Sequence, residues 1–228
     1  MLADALQTLL QRLDNAAHAA GRPAPRLLAV SKRQAATAVA ELHAAGQRAF
    51  GENYVQEAIA KQDALAGVDI EWHLIGHLQS NKAREAAERF DWVQTVDRAR
   101  LVPALGRHRP PERGPLNVLI QVNIDDEASK HGCAPEDVDT LVAAIVAEPA
   151  LRLRGLMAIP APFEDAARRR DAFRRMRLLF EQLRARHPNA DTLSMGMSED
   201  LEPAVAEGAT LVRVGTALFG ARPSKETT

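Results

Sequence analysis

A lysine comes directly after a short apolar run near the amino terminus. Residues 26–32 (RLLAVSK) follow turn-forming glycine and proline residues and precede a helical pattern, which predicts a buried strand of an α/β protein. Side chains alternate along a strand, so Leu28, Val30 and Lys32 share one face and the amine leaves the strand's carboxyl end above an apolar wall. A partly desolvated lysine at that end, where α/β folds bind ligands, can form an imine with an aldehyde. The alternative is a strand-terminal lysine that points to water.

Small and hydroxyl-bearing residues follow the last two predicted strands. Barrels that bind a phosphate often use backbone amides of these loops, because glycine lets the chain approach the oxygens. Glu199 and Asp200 already complement the dipole of the helix predicted at 199–206, so we expect Gly215 and Thr216 to contribute most to phosphate binding. Ser194 or Ser198 would add a hydroxyl, and Gly196 would let the backbone approach the phosphate at a further point. The alternative is that these residues are turn glycines and a helix cap.

Arg213 lies inside the last predicted strand. Both faces of a barrel strand are covered, so a charge there needs a partner. Arg213 shares a face with Gly215, which predicts that it points inward just below the phosphate. A guanidinium can donate a hydrogen bond to an aromatic nitrogen of a ligand but cannot protonate it. The alternative is a structural ion pair within the barrel.

Short apolar runs alternate with helical patterns along the rest of the chain. Strictly alternating βα units predict parallel strands, and eight of them predict an α/β fold consisting of a single (β/α)8 TIM barrel with an extra N-terminal helix. The predicted strands cover residues 26–32, 48–52, 71–76, 92–96, 117–123, 153–159, 192–195 and 211–214. The predicted helices cover 3–20, 35–45, 54–66, 80–89, 98–107, 135–147, 164–186 and 199–206, with a short one after Thr216.

We expect residues 1–228 to form one domain. Residues 1–25 would be the N-terminal helix and its lead-in, and residues 221–228 a flexible tail. The length of 228 residues is close to that of one barrel. No Gly-x-Gly-x-x-Gly pattern follows the first strand, which argues against a dinucleotide-binding fold.

Composition excludes several classes of partner. The formal net charge is −1, so no global field recruits nucleic acid or a membrane. The single cysteine rules out an internal disulfide and suits a reducing compartment. The first residues lack the features of a signal peptide, and no apolar run is long enough to span a bilayer. We therefore expect a soluble cytoplasmic protein, and the charged helix surfaces favour a monomer.

Three other features carry little functional weight. His73 and His77 would lie roughly 13 Å apart on an extended strand, too far for one metal ion. The arginines of residues 168–177 are assigned to the solvated face of an amphipathic helix. Cys133 has no activating base nearby in the sequence and is assigned a passive role.

Six ordered blocks along nearly the whole chain resemble the pyridoxal phosphate homeostasis proteins. The blocks are 28–32 (LAVSK), 50–57 (FGENYVQE), 72–82 (WHLIGHLQSNK), 155–157 (GLM), 193–198 (LSMGMS) and 212–220 (VRVGTALFG). The resemblance implies an alanine racemase-like barrel that holds pyridoxal 5'-phosphate (PLP) as a Schiff base on Lys32. It places Asn53 beside the cofactor and Arg213 at the pyridine nitrogen. The implied cofactor-binding residues are Lys32, Asn53, Ser194, Met195, Ser198, Arg213, Gly215 and Thr216.

The chain departs from the family pattern directly after Lys32. Many members read Thr-Lys-Pro there, whereas this chain has Arg33-Gln34-Ala35. A second lysine that handles the cofactor is therefore not expected at this point. Lys82 and Lys130 are the alternates.

The resemblance also leads to a prediction about catalysis. PLP accelerates amino-acid chemistry by drawing electrons into a protonated ring, and the ring nitrogen should stay unprotonated opposite Arg213. Related racemases add a tyrosine base from an additional β domain, but the single tyrosine here, Tyr54, lies on the strand-two side. We expect a carrier or buffer in vitamin B6 homeostasis, without efficient catalysis or a metal, that exchanges PLP transiently with PLP-dependent apo-enzymes. The alternatives are a PLP-dependent, racemase-like enzyme of narrow specificity and a Schiff-base aldolase acting on a sugar phosphate.

Overall fold

The computed structural model describes residues 1–125, 131–161 and 165–220. Lys130 and the tail at 221–228 lie outside the described residues. The strands are β1 (Arg26–Val30), β2 (Ala49–Glu52), β3 (Glu71–Leu74), β4 (Trp92–Val96), β5 (Leu116–Val122), β6 (Leu151–Ala158), β7 (Thr192–Ser194) and β8 (Leu211–Val214). The helices are α1 (Leu2–Ala20), α2 (Ala36–Ala44), α3 (Val55–Ala64), α4 (Ala83–Arg89), α5 (Leu101–Gly106), α6 (Val138–Val146), α7 (Ala166–Arg186), α8 (Leu201–Ala206) and α9 (Thr216–Phe219).

The eight strands form a closed parallel barrel in chain order, with β1 hydrogen-bonded to both β2 and β8. The predicted (β/α)8 barrel with an extra N-terminal helix is therefore confirmed. Two boundaries bear on the site. Strand β1 ends at Val30 and β7 at Ser194, so Lys32 and the segment after Ser194 lie in loops at the barrel's carboxyl end.

Helix α1 covers the outside of the barrel. Its buried residues recur every three or four positions, at Leu6, Leu9, Leu13 and Ala17, and they form the apolar stripe of an amphipathic helix. The helix packs against α2, α8 and α9. It ends at Gly21, whose left-handed φ of 61° lets its N–H donate back to the last turn.

The barrel interior contains two apolar clusters and a line of polar residues. One cluster joins Leu28, Ala49, Ile75 and Leu211 with the partly buried Val30, as expected from the alternation along β1. The other contains Trp92, Leu119 and Met157, with Ile159 packed against it. In the described part of the chain, no helix has the length and apolar character needed to cross a membrane.

Candidate functional site

A cavity of about 450 Å³ opens at the carboxyl ends of the strands, a volume in the usual range for small-ligand sites. Its apolar wall includes Val30 and Ile75, which also belong to the first interior cluster. Residues from the loops after β1, β2, β6, β7 and β8 complete the lining. These are Lys32, Asn53, Ile159, Pro160, Met197, Ser198, Glu199, Asp200, Gly215 and Thr216, together with Arg213 of β8 and Arg169 of α7.

Six of the eight residues that the sequence assigns to the site line this one cavity: Lys32, Asn53, Ser198, Arg213, Gly215 and Thr216. The other two lie deeper. Ser194 and Met195 are fully buried and are not among the lining residues. Ser194 contacts Arg213 from below, whereas Met195 joins the outer apolar core.

Arg213 is held at the cavity floor by neutral oxygen atoms. Its side chain is only 4% exposed. Nη1 donates to the Ser194 hydroxyl at 2.7 Å, and Nη2 donates to the Ala158 carbonyl at 2.7 Å. Burial lowers the pKa of Arg213 to about 10, opposed by the nearby charge of Asp200, so the guanidinium stays protonated at neutral pH. Among the described residues no ion pair involves Arg213, so the structural ion pair is not what holds it.

A line of hydrogen bonds, the interior polar chain, runs from Arg213 down the barrel through Ser194, Gln94, His73 and Glu71. Ser194 Oγ donates to Gln94 Oε1 at 2.7 Å, and Gln94 Nε2 donates to His73 Nδ1 at 2.9 Å. Because His73 accepts at Nδ1, its proton is on Nε2, which donates to Glu71 Oε1 at 2.7 Å. Burial lowers the pKa of His73, in keeping with a neutral ring. The chain therefore joins the cavity to the amino end of the barrel.

A second group of buried polar residues fixes the start of the loop that carries Lys32. This Glu52 network consists of Ser31, Glu52, Glu57 and Lys61. Ser31 Oγ donates to Glu52 Oε1 at 2.6 Å. Lys61 Nζ donates to the Ser31 carbonyl at 2.6 Å, to Glu52 Oε1 at 2.7 Å and to Glu57 Oε1 at 2.8 Å.

The Glu52 network holds both neighbours of Lys32. Ser31 contributes a hydroxyl and a carbonyl, and the Arg33 amide donates to Glu57. Arg33 has a φ of 62°, in the left-handed region, so the chain turns sharply directly after Lys32. Burial is the main cause of the raised pKa of Glu52, and the Lys61 contact acts against it. The backbone position of Lys32 thus depends on a buried ion pair.

The loop after β7 forms the opposite wall of the cavity. Asp200 Oδ1 accepts from the Met197 amide at 2.6 Å and closes the turn. This turn requires glycine at position 196, because its φ is +90° and an added Cβ would lie 2.5 Å from the Ala204 Cβ. Burial raises the pKa of Asp200. Helix α1 supports the same loop, since Arg12 Nη1 donates to the Ser198 carbonyl at 3.0 Å.

Sequence reasoning missed several residues of this region. Arg169 was assigned to the solvated face of a helix, but it lies in the first turn of α7, beside the β6 loop, and lines the cavity. Lys61 could have been found from the buried charge at the end of β2, which needs a cation, and from the four-residue spacing between Glu57 and Lys61. Nothing in the sequence signals the contact of Arg12 with a loop 186 positions away.

The remaining predicted features have ordinary partners. Lys82 pairs with Glu85 at 3.2 Å and lines a neighbouring pocket together with Tyr54. Cys133 is buried, and burial raises the pKa of its thiol to about 12, which agrees with a passive role.

Comparison with known proteins places these features in a family context. Residues 4–223 match the family model described as alanine racemase, N-terminal domain. The pyridoxal phosphate homeostasis protein of Pseudomonas aeruginosa is 54% identical over 97% of this chain and 96% of its own length. The Escherichia coli K12 protein of the same name is 54% identical over 86% of this chain and 85% of its own.

Solved structures agree with this. PipY of Synechococcus elongatus, solved with PLP bound, is 40% identical with a TM-score of 0.84, covering 96% of this chain and 100% of that chain. Alanine racemase of Corynebacterium glutamicum is 18% identical with a TM-score of 0.72, covering 99% of this chain and 63% of that one. The second likeness concerns the fold alone.

Proposed function

The chain belongs to the pyridoxal phosphate homeostasis protein family, and from this premise we propose that it binds PLP at the barrel mouth and stores it without using it for catalysis. Lys32 is the group that binds the aldehyde. Gly215 and Thr216, with Ser198, hold the phosphate, and Asn53 lies beside the ring. The observation that carries the proposal is that Lys32, Arg213 and the Gly215–Thr216 turn line one cavity.

The residues present fit this cofactor. The apolar side chains of Val30 and Ile75 suit a planar ring, while the charged and hydroxyl groups lie around them. An added Cβ at Gly215 would lie 3.2 Å from the Val30 carbonyl, so glycine lets the end of β8 pack closely against β1. Ser194 and Met195 act from below by supporting Arg213 and the β7 loop.

Arg213 decides what the bound cofactor can do. PLP speeds amino-acid chemistry when its protonated ring draws electrons away from the reacting carbon. Arg213 is fixed by two hydrogen bonds and keeps its proton at neutral pH, since its pKa of about 10 is well above 7. A group that only donates leaves the ring nitrogen unprotonated, which favours storage over catalysis.

The other side chains of the cavity support a non-catalytic role. Besides Lys32 and Arg213, the ionisable lining residues that the structure describes are Arg169, Glu199 and Asp200. The two acids come from the loop after β7, the side where we place the phosphate. Tyr54 is 58% exposed and lies outside the cavity lining. We therefore propose that no second base faces Lys32 and that the cofactor leaves by transfer to PLP-dependent apo-enzymes.

Borohydride reduction of the PLP-loaded protein tests this function. The reduced protein should carry the cofactor on the peptide that contains Lys32. Lys32→Ala should abolish both the labelling and the visible absorption, and the control Lys82→Ala should keep both. Labelling of another lysine would overturn the binding assignment. Steady conversion of an amino acid, abolished by Lys32→Ala, would overturn the storage role and identify a racemase-like enzyme.

A further inference from the structure

Two histidines and an aspartate converge at the barrel rim outside the PLP cavity. His77 follows β3, Asp97 follows β4 and His131 lies in the loop after β5. One imidazole nitrogen from each histidine and a carboxylate oxygen of Asp97 all lie within 4.8 Å of one another. His77 Nδ1 is 3.4 Å from Asp97 Oδ2, and the two rings stack with their centroids 3.7 Å apart. The loops of three consecutive strands thus bring three metal-ligating side chains together.

We propose that His77, Asp97 and His131 form a binding site for a divalent transition-metal ion of the zinc type. Two imidazole nitrogens and one carboxylate oxygen suit Zn²⁺, Co²⁺ or Ni²⁺, whereas Mg²⁺ and Ca²⁺ prefer oxygen ligands. Three protein ligands leave one position of a tetrahedral ion for water or another small ligand. None of the three lines the cavity with Lys32, so the proposal does not depend on the proposed function.

The distances are close to what such an ion needs. Ligand bonds of about 2.0–2.1 Å in a tetrahedron place ligand atoms roughly 3.3–3.5 Å apart. His77 and Asp97 are already at this separation. No spacing in the set exceeds 4.8 Å, so the ligand atoms need to approach by at most about 1.5 Å, which a rotation of an exposed imidazole provides.

The groups around the three side chains orient the least mobile ligand. Asp97 is 8% exposed, and its other oxygen, Oδ1, pairs with Arg98 Nη1. Arg98 Nη2 donates to the Leu78 carbonyl at 2.6 Å, next in sequence to His77. Asp97 Oδ2 is thereby directed to the histidines, as outer partners direct carboxylates in metal sites.

The loop that carries His131 is anchored in the same way. Gln121 Nε2 donates to the His131 carbonyl at 3.1 Å. The Cys133 amide donates to the Gln121 carbonyl at 2.9 Å. The backbone of His131 is therefore tied to β5, and only its side chain needs to turn towards the ion.

Cobalt binding tests the site directly. Untagged full-length protein, treated with a chelator and kept both PLP-free and PLP-loaded, is titrated with Co²⁺ and then with Zn²⁺. We expect one Co²⁺ to bind per chain and to give visible absorption bands typical of a Co²⁺ ion with few ligands. One Zn²⁺ should displace this Co²⁺ in both the PLP-free and the PLP-loaded protein. His131→Ala and Asp97→Asn should each weaken binding by roughly tenfold or more. The control His18→Ala, an exposed histidine on α1, should bind like the unaltered protein.

Thermal unfolding supplies an independent measurement. Zn²⁺ should raise the Tm of the unaltered protein and of His18→Ala but not that of His131→Ala, because a ligand of the folded state stabilises it by mass action. His131 is exposed, so its removal should leave folding and PLP absorption intact. Non-saturable cobalt binding, or equal affinity in His131→Ala and His18→Ala, would overturn the proposal and leave the PLP assignment unaffected.

Discussion

Arg213 is the residue on which the proposed storage role depends. Its partners are the neutral Ser194 hydroxyl and Ala158 carbonyl, so the positive charge is not cancelled by a contacting carboxylate. The Ser194 hydroxyl donates its only proton to Gln94 and accepts from Arg213. The interior polar chain thus fixes the direction of every hydrogen bond up to the cavity floor.

Arg213→Glu should increase the reactivity of bound PLP. A carboxylate at the ring nitrogen favours its protonated form, and each 1.4 kcal/mol of added stabilisation of the transition state is worth about tenfold in rate. We expect exchange of the α-proton of an added amino acid for deuterium to rise by roughly tenfold or more. NMR of the amino acid in deuterated buffer measures this rate.

Arg213→Gln serves as the control for that substitution. It also removes the guanidinium, but it cannot pair as an anion with a protonated ring. Exchange in Arg213→Gln should stay near the level of the unaltered protein. Equal acceleration in both variants would show that the charge of Arg213 does not restrain the cofactor.

Glu71 gives the other end of the interior polar chain an acid-sensitive contact. Burial alone would raise the pKa of Glu71, but its contacts with His73 and Arg26 lower it to about 2 from its ordinary 4.5. A carboxyl whose pKa is lowered in the folded state stabilises the fold at any pH above its unfolded-state pKa. This stabilisation is lost as the pH falls from about 4.5 towards 2.

Glu71→Gln should therefore flatten the acid branch of the stability profile. We expect the unaltered protein to lose on the order of 2 kcal/mol through this group over that interval, allowing for partial solvent screening. Urea unfolding at several pH values measures the difference between the two proteins. Parallel profiles below pH 4.5 would show that the carboxyl is not perturbed.

At the scale of elements, the Glu52 network ties β1, β2 and α3 together. Glu52 has no exposed surface and Lys61 only 6%. Glu52 Oε2 has no hydrogen-bond partner among the described residues, so Lys61 supplies the main compensation for the buried charge. Removal of one partner from such a pair is far more destabilising than replacement of both.

Lys61→Met should lower the free energy of unfolding by about 3–5 kcal/mol. The double variant Lys61→Met with Glu52→Gln should recover part of this loss, because it removes the uncompensated charge. Lys82→Met, which breaks the surface pair with Glu85, should cost less than about 1 kcal/mol. Urea denaturation of the unaltered protein, Lys61→Met, Glu52→Gln, the double variant and Lys82→Met measures the coupling. Simple additivity of the two substitutions would contradict it.

The elements themselves were largely predictable from the sequence. Runs such as residues 26–32 and 211–214 have the length and composition of buried strands, and Lys32 and Arg213 stand out because charges at such places need a reason. The Glu52 network and the His77, Asp97 and His131 cluster were not predicted. Their members are close only because consecutive strands end at one rim. The spacing of His73 and His77 excludes a metal site built from that pair, whereas the other two members of the His77 cluster come from two other loops.

At the scale of the whole molecule, the N-terminal helix is connected to the cavity. Arg12 of α1 forms a two-point ion pair with Glu202 of α8, at 2.6 and 2.8 Å, and donates to the Ser198 carbonyl. Ser198 lines the cavity. The helix that precedes the barrel therefore helps to position the proposed phosphate loop.

Arg12→Met should weaken PLP binding several-fold while the fold is retained. Loss of the bond to Ser198 frees the β7 loop, and one hydrogen bond from a charged group contributes about 1.5–3 kcal/mol at most. Arg22→Met is the matched control, since Arg22 Nε donates to the Ala206 carbonyl at the end of α8 and not to the loop. Fluorescence titration with PLP compares the variants, and equal affinities would contradict this role of α1.

The hydrogen bonds of Arg213 have a consequence for how an occupant departs. Nη1 and Nη2 of Arg213 both donate to oxygen atoms of the protein, so we expect the cavity floor to keep its shape with or without bound PLP. Release of PLP then requires no rearrangement of the cavity floor, and we expect the rate of transfer to be set by cleavage of the proposed Schiff base at Lys32 alone.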